Sequence, residues 1–392
     1  VREVFLAFLK LGLTSFGGPI AHLGYFRREF VERRRWLDES AFAQLLAITQ
    51  FLPGPASSQL GFSIGLLRAG WGGAIAAFLA FTLPSAVLLF AFAMFWPRLG
   101  GAPIAVGVLH GLKLVALAVV ANGLVGMARR LTPDVTRVAI AAAAAALCLV
   151  YRGAGTQIEV VALGAVAGFF FCREAAPTGA ERLQVAPNLV EARRWSWAFF
   201  TAFALVLAGL VFAARAYGGI AALADGFYRV GALVFGGGHV VLPLLQETVV
   251  RRGWVSPDAF LAGYGAAQAV PGPMFSLAAF LGALASPAAG RPLLGAAIAL
   301  VAIFLPGFLL LAGTLPLWNS LTSRPGAARA VAGVGAAVVG LLAAALYDPV
   351  WVSAVHAPLD AVIAGIGFAA LTIWNVSPLL IVLWCVCAAT LT

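Results

Sequence analysis

The chain has 392 residues, 62% of them hydrophobic and only 10% charged, a composition that excludes a water-soluble globular protein. Its formal net charge of +10 does not point to nucleic acid, because the basic residues are spread between apolar runs instead of forming one patch. Apolar stretches of about 20 residues, the length of helix that crosses a hydrocarbon core, recur along most of the sequence. The expected class is an all-α polytopic membrane protein embedded in a lipid bilayer.

In chain order, residues 4–16 and 19–31 form two short helical patterns separated by Phe16-Gly17-Gly18-Pro19. Residues 39–52 and 55–67 form two more, separated by Pro53-Gly54-Pro55, with Asp38 and Ser40 placed as caps. Each piece rises about 20 Å at 1.5 Å per residue, too little for a core of about 30 Å. Gly frees the backbone and Pro removes a donor. Irregular backbone at membrane depth persists only inside protein or beside a water-filled cavity, so the pattern predicts two helical hairpins with buried tips. Fuller spans follow at about 72–97 (kinked at Pro84), 103–127, 136–151 and 157–172. Residues 1–172 thus form a first unit, the polar stretch 173–194 a linker, 195–215 a connecting span and 216–392 a second unit. There, hairpins are expected at 220–250 and 257–286, and spans at about 292–317, 328–346, 358–375 and 378–392.

The second unit repeats the first. Adding 219 to Lys10, Gly12, Phe16, Gly17 and Gly18 gives Arg229, Gly231, Phe235, Gly236 and Gly237. Adding 218 to Trp36, Gln50, Pro53, Gly54 and Pro55 gives Trp254, Gln268, Pro271, Gly272 and Pro273, and offset 222 carries Pro84 to Pro306 and Gly111 to Gly333. Hairpins do not change sides, so an odd number of crossings separates the starts of the two units and inverts one against the other. Charge agrees. With the N-terminus in the cytoplasm and the C-terminus outside, sixteen Arg, including Arg33, Arg34 and Arg35, fall inside and six, including Arg251 and Arg252, fall outside. The expected architecture is two homologous halves in inverted orientation, each with two broken-helix hairpins followed by four spans.

Three cations, Lys10, Lys113 and Arg229, fall within apolar segments. Such a residue costs at least about 2.5–3.5 kcal/mol on insertion scales and is seldom idle. Lys10 and Arg229 match through the repeat; Thr14 shares the Lys10 face, and Asp225 is placed to pair with Arg229. A new helix begins near each of Pro19, Pro55, Gly238 and Pro273, and the free N–H groups of a helix N-terminus attract anions. Gln50 and Gln268 precede the Pro-Gly-Pro tips, and Ser57, Ser58 and Ser276 follow them as neutral donors. The candidate substrate site comprises Lys10, Thr14, Phe16, Gly17, Gly18, Gln50, Pro53, Gly54, Pro55 and Ser57 in the first half. In the second it comprises Arg229, Gly236, Gly237, Gly238, His239, Gln268, Pro271, Gly272, Pro273 and Ser276. The rival reading, close helix packing by small residues, suits Gly164-Ala-Val-Ala-Gly168 better than duplicated Pro-Gly-Pro breaks. His22, His110, His239 and His356 and the four Cys show no hydrolase or metal-ligand spacing, so neither an enzyme, a metal nor a cofactor is expected.

Phe16-Gly17-Gly18-Pro19, the Arg-rich loop ending in Trp36-Leu37-Asp38, and Gln50-x-x-Pro53-Gly54-Pro55 resemble motifs of the chromate ion transporter (CHR) family. The second copies, Phe235-Gly-Gly-Gly-His239 and Gln268-x-x-Pro271-Gly272-Pro273, make the chain similar to the long, two-domain members. The resemblance covers nearly the whole chain apart from residues 173–214. It implies export of chromate, a tetrahedral oxyanion, from the bacterial cytoplasm across the inner membrane, and hence chromate resistance. The alternative is a transporter of sulfate or another oxyanion that imports or exchanges. A homodimer is compatible with the sequence.

Overall fold

The computed structural model describes residues 1–16, 18–99, 103–151, 156–172, 195–234, 241–318, 325–374 and 376–391, among which there is no strand. The expected linker at 173–194 lies outside the described residues. The first half opens with α1 (Arg2–Thr14), α2 (Gly18–Arg27), which runs into a π-turn at Arg28–Arg33, and α3 (Glu39–Phe51). The Asp38 carboxylate caps α3, accepting the Ala41 N–H at 2.7 Å. Next comes α4 (Ala56–Leu99), whose helical path breaks at Ala69 (φ −146°, ψ 28°) and Gly70 (φ 62°, ψ −158°). Its two limbs fold back on one another, with Gly65 against Gly73 and Ala77. The backbone stays helical at Pro84, where the sequence suggested a kink; the bend comes earlier, where Gly70 supplies the positive φ. Helices α5 (Pro103–Leu131), α6 (Val135–Val150) and α7 (Thr156–Phe171) complete the half.

Helix α8 (Ser196–Tyr217) connects to the second half. That half contains α9 (Gly219–Leu233), α10 (Val241–Leu245) with a π-turn at Gln246–Val250, α11 (Pro257–Ala269) and α12 (Leu277–Leu284). It closes with α13 (Pro292–Thr314), α14 (Pro325–Ala345), α15 (Pro358–Thr372) and α16 (Pro378–Leu391).

Local structure repeats along with the sequence. Both π-turns occur at matching places, and Ser256 caps α11 as Asp38 caps α3. The Arg34 guanidinium lies 5.2 Å from the Trp36 ring centre, and Arg252 lies 5.1 Å from that of Trp254. Gly12 packs on the Phe81 backbone, and its equivalent Gly231 packs on Ile303. The halves also interlock. Helix α14 packs against α6 and α7 of the first half, while its equivalent, α5, packs against α15 and α16 of the second. Gly333 meets Gly164 and Gly168, and Gly111 meets Val386, the same contact carried across by an offset of 222. The Gly164–Gly168 stripe is thus the close-packing surface the sequence suggested. Mutual exchange of equivalent contacts is what an approximate two-fold relation between the halves requires.

The molecule is a multi-pass membrane protein. Five described stretches are long and apolar enough to cross a bilayer: Ala56–Trp96, His110–Arg129, Ser196–Tyr217, Pro292–Leu317 and Ala328–Ala354. The helices α6, α7, α15 and α16 have 14 to 16 residues, a rise of about 21–24 Å.

Candidate functional site

Each Pro-Gly-Pro tip meets the end of the first helix of the opposite half. The Gly54 N–H, at the first Pro-Gly-Pro tip, donates to the Val234 carbonyl at the end of α9, at 2.6 Å. The Gly272 N–H, at the second tip, donates to the Ser15 carbonyl at the end of α1, at 3.0 Å. Ser15 and Val234 are repeat equivalents, so the two bonds are one contact made twice. Both tip glycines have positive φ, +125° at Gly54 and +108° at Gly272. Each also touches the long helix of the opposite half: Gly54 lies against Gly307 and Gly272 against Ser85, again equivalents.

Polar side chains line both junctions unequally. At the first, Gln59 Nε2 donates to the carbonyls of Pro53 (3.0 Å) and Gly307 (2.9 Å). At the second, Ser85 Oγ lies 2.6 Å from Ser276 Oγ, and His22 Nε2 lies 3.2 Å from the Ser15 carbonyl. Gln268 is buried with its amide nitrogen on Met274 Sδ at 3.2 Å. Among the described residues, the Oγ atoms of Ser15 and Ser58, Thr82 Oγ1, His22 Nδ1 and Gln59 Oε1 are buried without a hydrogen-bond partner. Buried orphans are rare in folded proteins and mark a water, an ion or a functional contact.

The structure brings together Pro53, Gly54, Pro55 and Ser57 at one junction and Phe16, Gln268, Pro271, Gly272, Pro273 and Ser276 at the other. It does not bring Lys10 and Thr14 there: both stand on the exposed face of α1, the Thr14 hydroxyl bonded to the Lys10 carbonyl at 2.7 Å. Arg229 is half-exposed and its Nε donates to the buried Asp225 carboxylate at 2.8 Å. Lys113 is likewise held, its Nζ 2.6 Å from Asp258 at the start of α11. Gly17, Gly236, Gly237, Gly238 and His239 lie outside the described residues, as do the surroundings of Gly18 and the Gln50 side chain. The sequence reading passed over Ser15, His22, Gln59, Thr82 and Ser85 as site residues; the Thr82-x-x-Ser85 pair of small hydroxyls in an apolar helix is a usable signal only once a break is known to face it. Asp360, which the sequence did not single out, has its Oδ1 2.7 Å from His110 Nε2.

The Arg-rich loop forms an ion-pair network. Buried Glu29 accepts from Arg34 at 2.6 Å and Arg33 at 2.8 Å, and Glu3 is reached by Arg34 and by Arg68 beside the bend of α4. Burial pushes the Glu29 carboxyl upward, but the hydrogen bonds and charges of Arg34 and Arg33 bring it below its ordinary value. A cavity of about 300 Å³ lies away from the breaks, lined by Tyr151, Glu247, Arg251 and Asp348 among others. It contains none of the expected site residues, and the duplicated junctions are the better candidate.

A family model for the chromate transporter matches residues 2–169 and again 221–390. The chain belongs to the chromate transporter family. The family unit occurs twice, which establishes two homologous halves and makes the chain a transporter rather than an enzyme. A chromate transport protein of Pseudomonas aeruginosa is 30% identical over 362 residues, covering 91% of this chain and 82% of that protein. A probable chromate transport protein of Synechococcus elongatus is 30% identical over 348 residues, 88% and 84% respectively. An uncharacterised transporter of Methanocaldococcus jannaschii is 24% identical over 320 residues, 81% and 77%. No solved structure matches this family member.

Proposed function

We propose that this protein exports chromate from the cytoplasm across the bacterial inner membrane and so confers chromate resistance. The observation that carries the reading is the twice-made junction of helix breaks between the halves, in a family whose named relatives transport chromate. The tip N–H groups of Gly54 and Gly272 are taken by carbonyls, so the donors to an oxyanion are those of the helix starts beyond the tips. The halves are inverted, as the inside excess of Arg supports, so the junctions lie near mid-membrane and open alternately to either side. An anion leaving a negative-inside cell gains about 2.3 kcal/mol per charge at 100 mV, which favours export over uptake. Lys10 and Arg229 contribute positive potential along the path. Everted membrane vesicles are the test. They should accumulate labelled chromate in a manner that depends on the membrane potential and resists competition by chloride. Absence of chromate flux in vesicles containing folded protein would reject the reading.

A further inference from the structure

The cavity of about 300 Å³ takes its walls from both halves. The turn from α6 to α7, with Tyr151 and Thr156, forms one wall, and the π-turn after α10, with Glu247 and Arg251, forms the other. Ala345 and Asp348, at the end of α14, close it. Ala345 is buried while Tyr151 and Arg251 are exposed, so the space is a crevice that runs from an open rim to a dry apolar floor.

The rim carries the marks of a membrane surface. Tyr151 is 63% exposed, and Tyr347 and Trp351, which bracket Asp348 in the chain, are 59% and 44% exposed. Amphipathic aromatic rings on the outside of a membrane protein gather at the level of the lipid headgroups. Leu149 and Val150, the last residues of α6 before Tyr151, are also exposed, and apolar side chains on that surface meet acyl chains. An occupant can therefore enter from the bilayer.

Charge selects the occupant. Arg251 Nη1 donates to Glu247 Oε2 at 2.8 Å, and Asp348 adds a second carboxylate to the same walls. This ion pair does not exhaust its members: a guanidinium has five donors and a carboxylate about four acceptor sites, and Glu247 Oε1 has no hydrogen-bond partner among the described residues. Two carboxylates oppose a simple anion, and Arg251 opposes a simple cation. A zwitterion suits both, its ammonium on the carboxylates and its phosphate on the guanidinium. The first half has no such arrangement. Glu29, the equivalent of Glu247, is held by Arg33 and Arg34 together, and Gly126 stands at the place equivalent to Asp348.

We propose that this crevice binds the headgroup of a zwitterionic phospholipid with a primary ammonium, phosphatidylethanolamine in class. Glu247 and Asp348 receive the ammonium, Arg251 receives the phosphate, and the acyl chains lie along Leu149 and Val150. A lipid seated there touches both halves and joins them at one end of the molecule. The proposal is independent of what the protein transports and in which direction.

The test titrates full-length protein in detergent with phosphatidylethanolamine, phosphatidylcholine or phosphatidylglycerol of identical chains and follows thermal unfolding. Phosphatidylethanolamine should raise the melting temperature saturably, at a concentration about tenfold or more below that needed for phosphatidylcholine, whose trimethylammonium has no N–H to donate. Glu247→Gln and Asp348→Asn should each abolish that preference. It is read as a difference within each variant, so a lower starting stability does not hide it. Equal gains from the ethanolamine and choline lipids would overturn the proposal and leave ordinary boundary lipid. A larger gain from phosphatidylglycerol would overturn it in favour of a site for anionic lipid, and an equal gain from chain-free phosphoethanolamine in favour of a soluble ligand. A preference left intact in either variant would also overturn it.

Discussion

Replacing Gly54 by Ala tests the junction most directly. At φ +125° an L-residue is strained, at a cost of about 1–3 kcal/mol. The added Cβ would lie 2.9 Å from Gly307 Cα and 2.9 Å from Gln59 Nε2. The amide can swing away, but Gly307 is helix backbone in the opposite half and cannot yield without moving α13. Relief by displacement of the tip stretches the Gly54 N–H bond to Val234, and an unsatisfied buried carbonyl costs about 1–3 kcal/mol. The sum is about 2–6 kcal/mol. Gly70 provides the comparison: its φ is +62° and ψ −158°, yet an added Cβ there meets nothing within 4 Å, so Gly70→Ala should cost only the backbone strain of about 1–3 kcal/mol. Unfolding of both variants, titrated with denaturing detergent, measures the difference, and vesicle flux should fall for Gly54→Ala alone. Equal stability of the two variants would show that the tip does not bear on the other half.

Arg229→Leu strands the buried Asp225 and should destabilise by about 3–5 kcal/mol, while Asp225→Asn combined with Arg229→Leu should recover most of it; unfolding of single and double variants reads this coupling. Lys10 is exposed and makes no ion pair among the described residues, so Lys10→Ala should change stability by less than about 0.5 kcal/mol yet lower chromate flux if the cation attracts substrate. Glu29 is held below its ordinary carboxyl value, so its stabilising contribution is present above about pH 4.5 and is lost as pH falls through the lowered folded value. Acid titration of unfolding should show that loss in the wild type and not in Glu29→Gln, which should be less stable at pH 7. Single Cys residues placed by Arg34→Cys and Arg252→Cys should be labelled from opposite sides of the membrane; labelling from one side would refute the inverted arrangement.

The breaks and the repeat were legible in the sequence because Gly and Pro leave a backbone signature that survives copying, and because one offset carried several such residues at once. Which break faces which was not legible. The Gly54–Val234 and Gly272–Ser15 bonds run between main-chain groups, and Val234 advertises nothing in its side chain. The direction of Lys10 was hidden for another reason. Leu6 and Leu13 on the exposed side of α1 are as apolar as Phe8 and Leu11 on the buried side, since lipid and protein interior ask for the same residues. Amphipathic periodicity, which would have oriented the helix in water, carries little information there. Lys113–Asp258 and His110–Asp360 join residues 145 and 250 positions apart, beyond any local spacing rule.

The interlocking of the halves has a bearing on biogenesis. Helix α5 is made early, but the partners of its Gly107 and Gly111 face are Thr390 and Val386 on α16, the final helix of the second repeat. Throughout synthesis of everything between, that face meets lipid or a chaperone in place of its native neighbour. The first repeat therefore cannot reach its mature packing until the last helix of the second repeat has been made. Two separately translated repeats would satisfy the same face, so severing the 173–194 connection should leave the pieces able to find each other in the bilayer.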